Sequence, residues 1–294
     1  KAYARIHMYI KEFKYHTPAS LAEACRLLHS GGPGTKVIAG GTDILLDLKK
    51  GILSAGSLIS LAGLSGLRKI EKKDSVLRIG PLVTPNMLAG SDMVRKIFPG
   101  LAEAAASIAA NQIRNLATIG GNLCSAVPSA DLPPSLLTVE AELLLTARSG
   151  HRRLALRDFF LGPRKTALRR AEILTCIVIP ALPRGTGTAY EKFQARDASA
   201  LAIVGAAARL TVKDNKIVKA LVAIGACAST PLLIAAAGKF LTGKEPSEQN
   251  FTRAGELAAQ GIKPISDIRG SEQYRRDICR VLTIRVLKRA FERA

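Results

Sequence analysis

The sequence predicts an α+β protein in two parts, and three observations carry that expectation. Short apolar runs alternate with amphipathic, helix-length stretches over the first 180 residues. The segment Ala181-Leu182-Pro183-Arg184-Gly185-Thr186-Gly187 then reads as a linker, because Pro183, Gly185 and Gly187 interrupt any periodic pattern. Beyond it come three strand-like runs followed by helical patterning alone. At 294 residues the chain is long enough for two domains, or for one large one with a sizeable core.

Met8 opens the first well-patterned segment, and residues 1 to 7 read as an extension ending at a His7-Met8 cloning junction. Thr17 or Ser20 caps a helix over 17–29, with Leu21, Ala24, Leu27 and Leu28 on one face and Gly31-Gly32 at its end. Val37-Ile38-Ala39 reads as a short buried strand, Ile44 to Lys50 as a helix stopped by Gly51, and Ser57 to Ser60 as another strand. Together they make a small βαβ-like unit. From Leu67 the pattern alternates, as in Val76-Leu77-Arg78-Ile79-Gly80, and helical stretches follow around Thr84 to Ala89 and Leu101 to Ala110. Asp131-Leu132-Pro133-Pro134 is a helix start with Asp131 as candidate N-cap. Ala141 to Ala147, Leu154 to Phe160 and Glu172 to Ile179 read as strand segments, the last ended by Pro180.

After the linker, strands are expected over Thr188 to Phe193, Ala202 to Val212 and Ile217 to Cys227, the last two joined by a Lys213-Asp214-Asn215-Lys216 hairpin turn. A helix follows with Thr230 as N-cap, Pro231 at its first position and Gly243 beyond its end. The closing basic helix starts at Ser271. Tyr274, Ile278, Val281, Leu282 and Ala290 form its core stripe, and the arginines between them a solvated or docking face.

Forty-three basic residues against 23 acidic ones give a net charge of +20, a field that favours anionic partners or ligands. Nucleic acid is not the expected partner: the basic residues are scattered, aromatics are 4%, and no nucleic-acid-binding motif is present. A generally basic proteome, or a surface that docks on acidic subunits, fits better. The longest apolar stretch, Ala220 to Gly238, is interrupted by Ser229-Thr230-Pro231, so no membrane span is expected; with no signal peptide visible, the expected location is cytoplasmic. The five cysteines lie roughly fifty to a hundred residues apart, with no CxxC pair and no Cys/His cluster. Free thiols and no metal or cluster held by this chain are therefore expected, with Cys124 as a small buried thiol. No Ser-His-Asp order, HExxH motif or catalytic carboxylate pair appears, so no catalytic residue is assigned and the chain does not read as a hydrolase.

The informative chemistry lies in two diglycine motifs, Lys36-Val37-Ile38-Ala39-Gly40-Gly41-Thr42-Asp43 and Ala117-Thr118-Ile119-Gly120-Gly121-Asn122. Each follows an apolar run and sets a hydroxyl beside two glycines, whose missing Cβ atoms let backbone N–H groups approach phosphate oxygens. Either motif alone could be an ordinary tight turn; two that converge suggest a diphosphate-bearing cofactor. At the first, the helix starting near Ile44 adds its positive dipole end, and Asp43 reads as a cap. The second offers the same donors from Thr118, Gly120 and Gly121, with Asn122 able to donate or accept. Asp131 could accept from a ribityl or ring N–H, beside its reading as a helix cap. Neither G-x-G-x-x-G nor GK[ST] is present, so a Rossmann site and an NTPase are both unsupported.

Ala39-Gly40-Gly41-Thr42-Asp43, the run from Gln112 through Arg114 and Thr118-Ile119-Gly120-Gly121-Asn122 to Leu123, and Ala130-Asp131 closely resemble the FAD-binding medium subunit of molybdenum hydroxylases. That family includes xanthine dehydrogenase, molybdenum-type carbon monoxide dehydrogenase and 4-hydroxybenzoyl-CoA reductase. The likeness extends through Glu172 to Pro180, Tyr190-Glu191-Lys192-Phe193, Ala202-Ile203-Val204 and the final helix. It implies a vanillyl-alcohol-oxidase (PCMH-type) FAD-binding domain over 1–180, with subdomains of about 8–60 and 61–180, and an α/β C-terminal domain over 187–294 with a three-stranded antiparallel sheet and helices. It also implies that FAD is held by Val37, Ile38, Ala39, Gly40, Gly41, Thr42, Asp43, Ile44, Thr118, Ile119, Gly120, Gly121, Asn122 and Asp131. Ile108, Leu174 and Lys192 match family positions near the flavin, with Leu174 as a ring contact. The cysteine-rich insertion that carries a [4Fe–4S] cluster in the reductase branch is absent.

The function so implied is an electron-transfer flavoprotein subunit. Its partners would be a large molybdopterin-binding subunit and a small [2Fe–2S] subunit, assembled as a dimer of heterotrimers. Electrons would leave FAD for an external acceptor such as NAD, quinone or ferredoxin. The alternative is a stand-alone FAD-dependent oxidase or dehydrogenase with its own substrate pocket, which would need a base or a covalent flavin link.

Overall fold

The computed structural model describes residues 10–196 and 200–294. Met8 and the extension before it lie outside the described residues. The first lobe is a parallel sheet of three short strands: β1 (Lys14–His16), β2 (Thr35–Ile38) and β3 (Ser57–Ser60), in the order β1-β3-β2. Helix α1 (Leu21–Ser30) leads into β2, and α2 (Ile44–Lys49) crosses from β2 to β3. Ser20 is the cap of α1: its side chain accepts from the Glu23 N–H while the Glu23 carboxylate accepts from the Ala19 N–H. Ala24, Cys25 and Leu28 of α1 pack with Ile59 and Leu61, and Ile38, Leu48, Ala55 and Leu58 fill a second small core.

The second lobe is an antiparallel sheet backed by helices. It contains β4 (Ile70–Lys73) and β5 (Val76–Ile79), then α3 (Pro85–Gly90), α4 (Asp92–Ile97), α5 (Pro99–Ala106), α6 (Asn111–Leu116), α7 (Ile119–Ser125) and α8 (Leu132–Thr138). Strands β6 (Glu142–Ala147) and β7 (Gly150–Ala155), the small β8 (Phe160–Gly162) and β9 (Lys165–Thr166) hairpin, and β10 (Ile173–Ile179) complete it. The sheet order is β4-β5-β10-β6-β7. Every residue of β10 is buried, as its unbroken apolar run requires, and Ile177 pairs with Ile79 on one side and Leu143 on the other. Leu88, Leu101, Leu136 and Phe159 join Ile79, Leu143 and Ile177 in the largest core.

The third sheet runs β11 (Thr186–Gln194), β12 (Ala202–Lys213), β13 (Lys216–Gly225) and β14 (Leu232–Leu233) in sequence order. Asp214 and Asn215 turn the β12–β13 hairpin with positive φ of 50° and 56°. Strand alternation splits this sheet between two cores. Tyr190, Ala207 and Ala223 join the second lobe, whereas Val204, Ala206, Ala208 and Ile224 pack under the helices α9 (Ala235–Leu241), α10 (Glu248–Gly261) and α11 (Glu272–Glu292).

The sheet therefore has four strands where three were expected. Leu232 and Leu233 pair with Ile224 and Ala223, which draws the chain after Pro231 into the sheet, so the helix begins at Ala235 instead of Pro231 and Thr230 does not cap it. On α11 the buried face is centred on Cys279, Leu282, Val286 and Leu287, and Tyr274 from the expected stripe is 41% exposed. Arg275, expected on the solvated face, is only 1% exposed: its guanidinium donates to the Ile203 carbonyl at 2.8 Å and to Asp267 at 2.7 Å.

Candidate functional site

The first diglycine motif is the sharp turn between β2 and α2. Gly41 carries a φ of +78°, open to glycine at little strain, and a Cβ on Gly40 would overlap the Leu116 carbonyl oxygen. That contact seats the turn against the end of α6, directly before the second motif. Among the described residues, the backbone N–H groups of Gly40, Gly41, Thr42, Asp43 and Ile44 donate to no group of the chain. Five successive free donors at a strand-to-helix turn form a concave anion seat.

The second motif is built differently from its reading as a matching loop. Gly120 and Gly121 lie in the first turn of α7, with Thr118 as its cap. The Gly120 N–H donates to the Pro81 carbonyl at 2.9 Å, the Gly121 N–H to the Thr118 hydroxyl at 3.0 Å, and the Asn122 N–H to the Thr118 carbonyl at 2.9 Å. These donors are committed within the chain. Gly120 is required by packing instead, since a Cβ there would meet the Pro81 carbonyl oxygen at 2.8 Å. What this motif presents is the Asn122 amide, whose Oδ1 is buried without a partner.

Between the lobes lies a cleft of about 710 Å³, within the usual size range of ligand sites. All the expected cofactor residues line it except Ile38, Ile119 and Lys192. Ile38 turns into the small core beside α2, Ile119 is fully buried in the second lobe, and Lys192 sits behind the wall. Its Nζ donates to the Ser107 carbonyl at 2.9 Å and to Asp131 Oδ2 at 3.2 Å, while the Tyr190 hydroxyl donates to Asp131 Oδ1 at 3.0 Å. Asp131 thus makes no side-chain cap for α8. Burial raises its carboxyl pKa, against the opposing pull of Lys192 and Tyr190. Asp43 likewise caps nothing; its carboxylate accepts from the Ser125 hydroxyl at 2.6 Å and ties the first turn to the end of α7.

Several lining residues were not read from the sequence. Pro81 and Leu82 follow β5 and form part of the wall with Leu61, Ile108 and Leu174. Arg164, on the β8–β9 turn, reaches across to Asp47 of α2 with one bond of 3.2 Å. Glu172 is gripped by the Arg152 guanidinium at 2.7 and 2.8 Å, which holds its carboxyl below the usual range. No local signal in the sequence gives the cross-lobe partner of Arg164.

A diphosphate-bearing, partly apolar ligand fits these residues: free N–H donors at Gly40–Ile44, the unpartnered Asn122 oxygen, and apolar walls at Leu82, Ile108 and Leu174. Among the described residues no group of His, Cys, Asp and Glu could hold a metal ion, and no helix is long and apolar enough to cross a membrane.

Comparison with known proteins points the same way. Residues 11–182 match the FAD binding domain in molybdopterin dehydrogenase, and residues 188–290 the CO dehydrogenase flavoprotein C-terminal domain. The carbon monoxide dehydrogenase medium chain of Afipia carboxidovorans is 35% identical over 282 residues, 96% of this chain and 98% of that one. The xanthine dehydrogenase FAD-binding subunit of Escherichia coli is 32% identical, covering 94% of this chain and 95% of the relative. Among solved structures, the carbon monoxide dehydrogenase of Hydrogenophaga pseudoflava that lacks the Mo-pyranopterin moiety superposes with a TM-score of 0.93 at 32% identity, over 97% of this chain and 99% of that one.

Proposed function

Because the chain belongs to the FAD-binding medium subunits of the molybdenum hydroxylases, we propose that it holds FAD in the cleft between its first two lobes and relays electrons from a partner's [2Fe–2S] clusters to an external acceptor. It is a flavoprotein subunit of an oxidoreductase, with the α+β fold of the carbon monoxide dehydrogenase medium chains. The single observation that carries the cleft assignment is the run of free N–H groups from Gly40 to Ile44 on its wall.

Bound FAD would supply the redox chemistry, accepting electrons and giving them up again. The Gly40–Ile44 amides and the Thr42 hydroxyl would hold its pyrophosphate, and the Asn122 amide would accept from or donate to the sugar-alcohol chain. Leu82, Ile108 and Leu174 would exclude water from the ring. Asp131, neutralised by Lys192 and bonded by Tyr190, fixes the wall without placing an unpaired charge there. The basic surface would serve docking on more acidic partner subunits, a molybdopterin-binding large one and an iron–sulfur small one, in a dimer of heterotrimers.

A stand-alone oxidase would need a base or a covalent link at the cleft. Among the described residues no histidine lines it, burial pushes the Cys124 thiol up to about 12, and the lining carboxylates Asp43, Asp47, Asp131 and Glu172 are engaged by Ser125, Arg164, Lys192 and Arg152, which disfavours both. The test is native isolation of the chain with whatever assembles on it. The expected result is a yellow complex with FAD on this chain, molybdopterin on a larger subunit and iron–sulfur absorbance from a smaller one. A colourless chain, or one that oxidises a substrate unaided, would overturn the reading.

A further inference from the structure

The wall of the cleft at Ile108–Ala109 is held from outside by an arginine. Helix α5 ends at Ala106, and the next three carbonyls point at cationic side chains. Ser107 accepts from Lys192 Nζ at 2.9 Å, and Ile108 and Ala109 accept from Arg114 Nη1 at 2.8 and 3.3 Å. Arg114 is itself fixed. Its Nε donates to Asn86 Oδ1 at 3.1 Å, and the Asn86 amide donates to Asn111 Oδ1 at 2.8 Å and Asn115 Oδ1 at 2.5 Å. This polar ladder stands in for a core, because α6, which carries Arg114, Asn111 and Asn115, buries none of its residues.

The backbone so held is not one that alanine adopts freely. Ala109 has a φ of +39°, in the left-handed region where a Cβ crowds the carbonyl, and both Ile108 and Ala109 line the cleft. Ile108 and Ala109 also pack on the second-lobe core, but it is Arg114 that holds their carbonyls; without those bonds the corner is freer to relax toward ordinary φ, which would carry the Ile108 side chain with it.

We infer that Arg114 is a positioning residue for the cofactor site: it touches no ligand but sets the Ile108–Ala109 corner in the shape the bound ring requires. The inference rests on the FAD reading above and deepens it.

The test is equilibrium titration of the full chain with FAD, followed by flavin fluorescence and visible absorbance, with thermal unfolding of the FAD-free chain as the control for folding. Arg114→Ala is expected to weaken FAD binding about tenfold, the factor to which the penalty of a left-handed alanine amounts, and to shift the visible flavin bands. Glycine adopts the left-handed region freely, so in an Ala109→Gly background, taken as its own reference, adding R114A should weaken FAD binding only about threefold. Arg114→Lys keeps one cationic donor and should fall between. Should R114A fail to fold, the same comparison is made with R114K in the two backgrounds. Equal losses with and without A109G, or an unshifted spectrum and unchanged affinity in R114A or R114K, would overturn the inference. Failure of the unaltered chain to bind FAD would overturn the functional reading and this inference together.

Discussion

Gly40 rests its Cα on the carbonyl oxygen of Leu116, so that the turn after β2 and the segment entering α7 meet backbone to backbone. This contact is how two motifs eighty residues apart, Gly40 and Gly120, come to border one cleft. An alanine at Gly40 has no free space, and Gly40→Ala should destabilise the FAD-free chain by about 1–3 kcal/mol, as other overpacked sites do. Urea unfolding measures it; a change within error would mean that the lobes are not in contact there.

Gly41 and Gly51 separate a conformational role from a binding one. Both have positive φ, +78° and +68°, at opposite ends of α2, but only Gly41 lines the cleft, and a Cβ on Gly51 meets nothing within 4 Å. Gly41→Ala and Gly51→Ala should each lower stability by about 1 kcal/mol. Only Gly41→Ala should also weaken FAD retention, read as flavin lost on gel filtration.

At α7 the order of effects is reversed, because its donors are spent within the chain. Gly120→Ala drives a methyl into Pro81, and Thr118→Ala removes the hydroxyl that accepts from Gly121. Both should lower the unfolding temperature of the FAD-free chain, with Thr118→Ala costing about 1 kcal/mol and Thr118→Ser much less. FAD affinity measured on the folded fraction should change less than stability does.

The Arg152–Glu172 pair makes an acid-sensitive contact at the cleft. The hydrogen-bonded guanidinium lowers the Glu172 pKa from its usual 4.5, so the folded state binds this proton less readily than the unfolded one. The stabilisation is complete above that usual value and is lost as pH falls through the lowered folded value. Glu172→Gln should therefore be less stable at neutral pH and show a shallower loss of stability below pH 4.5. Urea midpoints across that window check it, and parallel curves would contradict it.

Two arginines on α11 should behave oppositely despite their shared helix. Arg275 is buried against Asp267 and two backbone carbonyls, so Arg275→Ala should cost about 3 kcal/mol or more. Arg285 is 60% exposed and pairs with Glu191, so Arg285→Ala should cost under about 1 kcal/mol. Charge reversal meant to probe docking belongs at Arg285, since at Arg275 it would measure folding.

Local patterns exposed much of this in the sequence. Val37, Ile38 and Ser57–Ser60 announced parallel strands, Gly51 the end of α2, and Asp214-Asn215 the hairpin, because each depends on neighbours within a few residues. Ala39–Asp43 and Thr118–Asn122 were legible as a convergent pair. Hidden from it were features decided by distant partners. β1 is only three residues long, β14 only two, and each exists through its pairing with a neighbouring strand. The burial of Arg275 depends on Asp267 and on Ile203 far back in β12. Asp131 had the local grammar of a cap, and only the fold could bring Tyr190 and Lys192 to its carboxylate. The two diglycines look alike as text, yet one is a free donor turn and the other a committed helix start.

The most direct test of the central claim is a paired titration of the FAD-stripped chain with FAD and with riboflavin, which lacks the pyrophosphate and adenosine. If the Gly40–Ile44 amides hold the pyrophosphate, FAD should bind at one per chain and at least about a hundredfold more tightly than riboflavin. Equal affinities, or no binding of FAD, would contradict it.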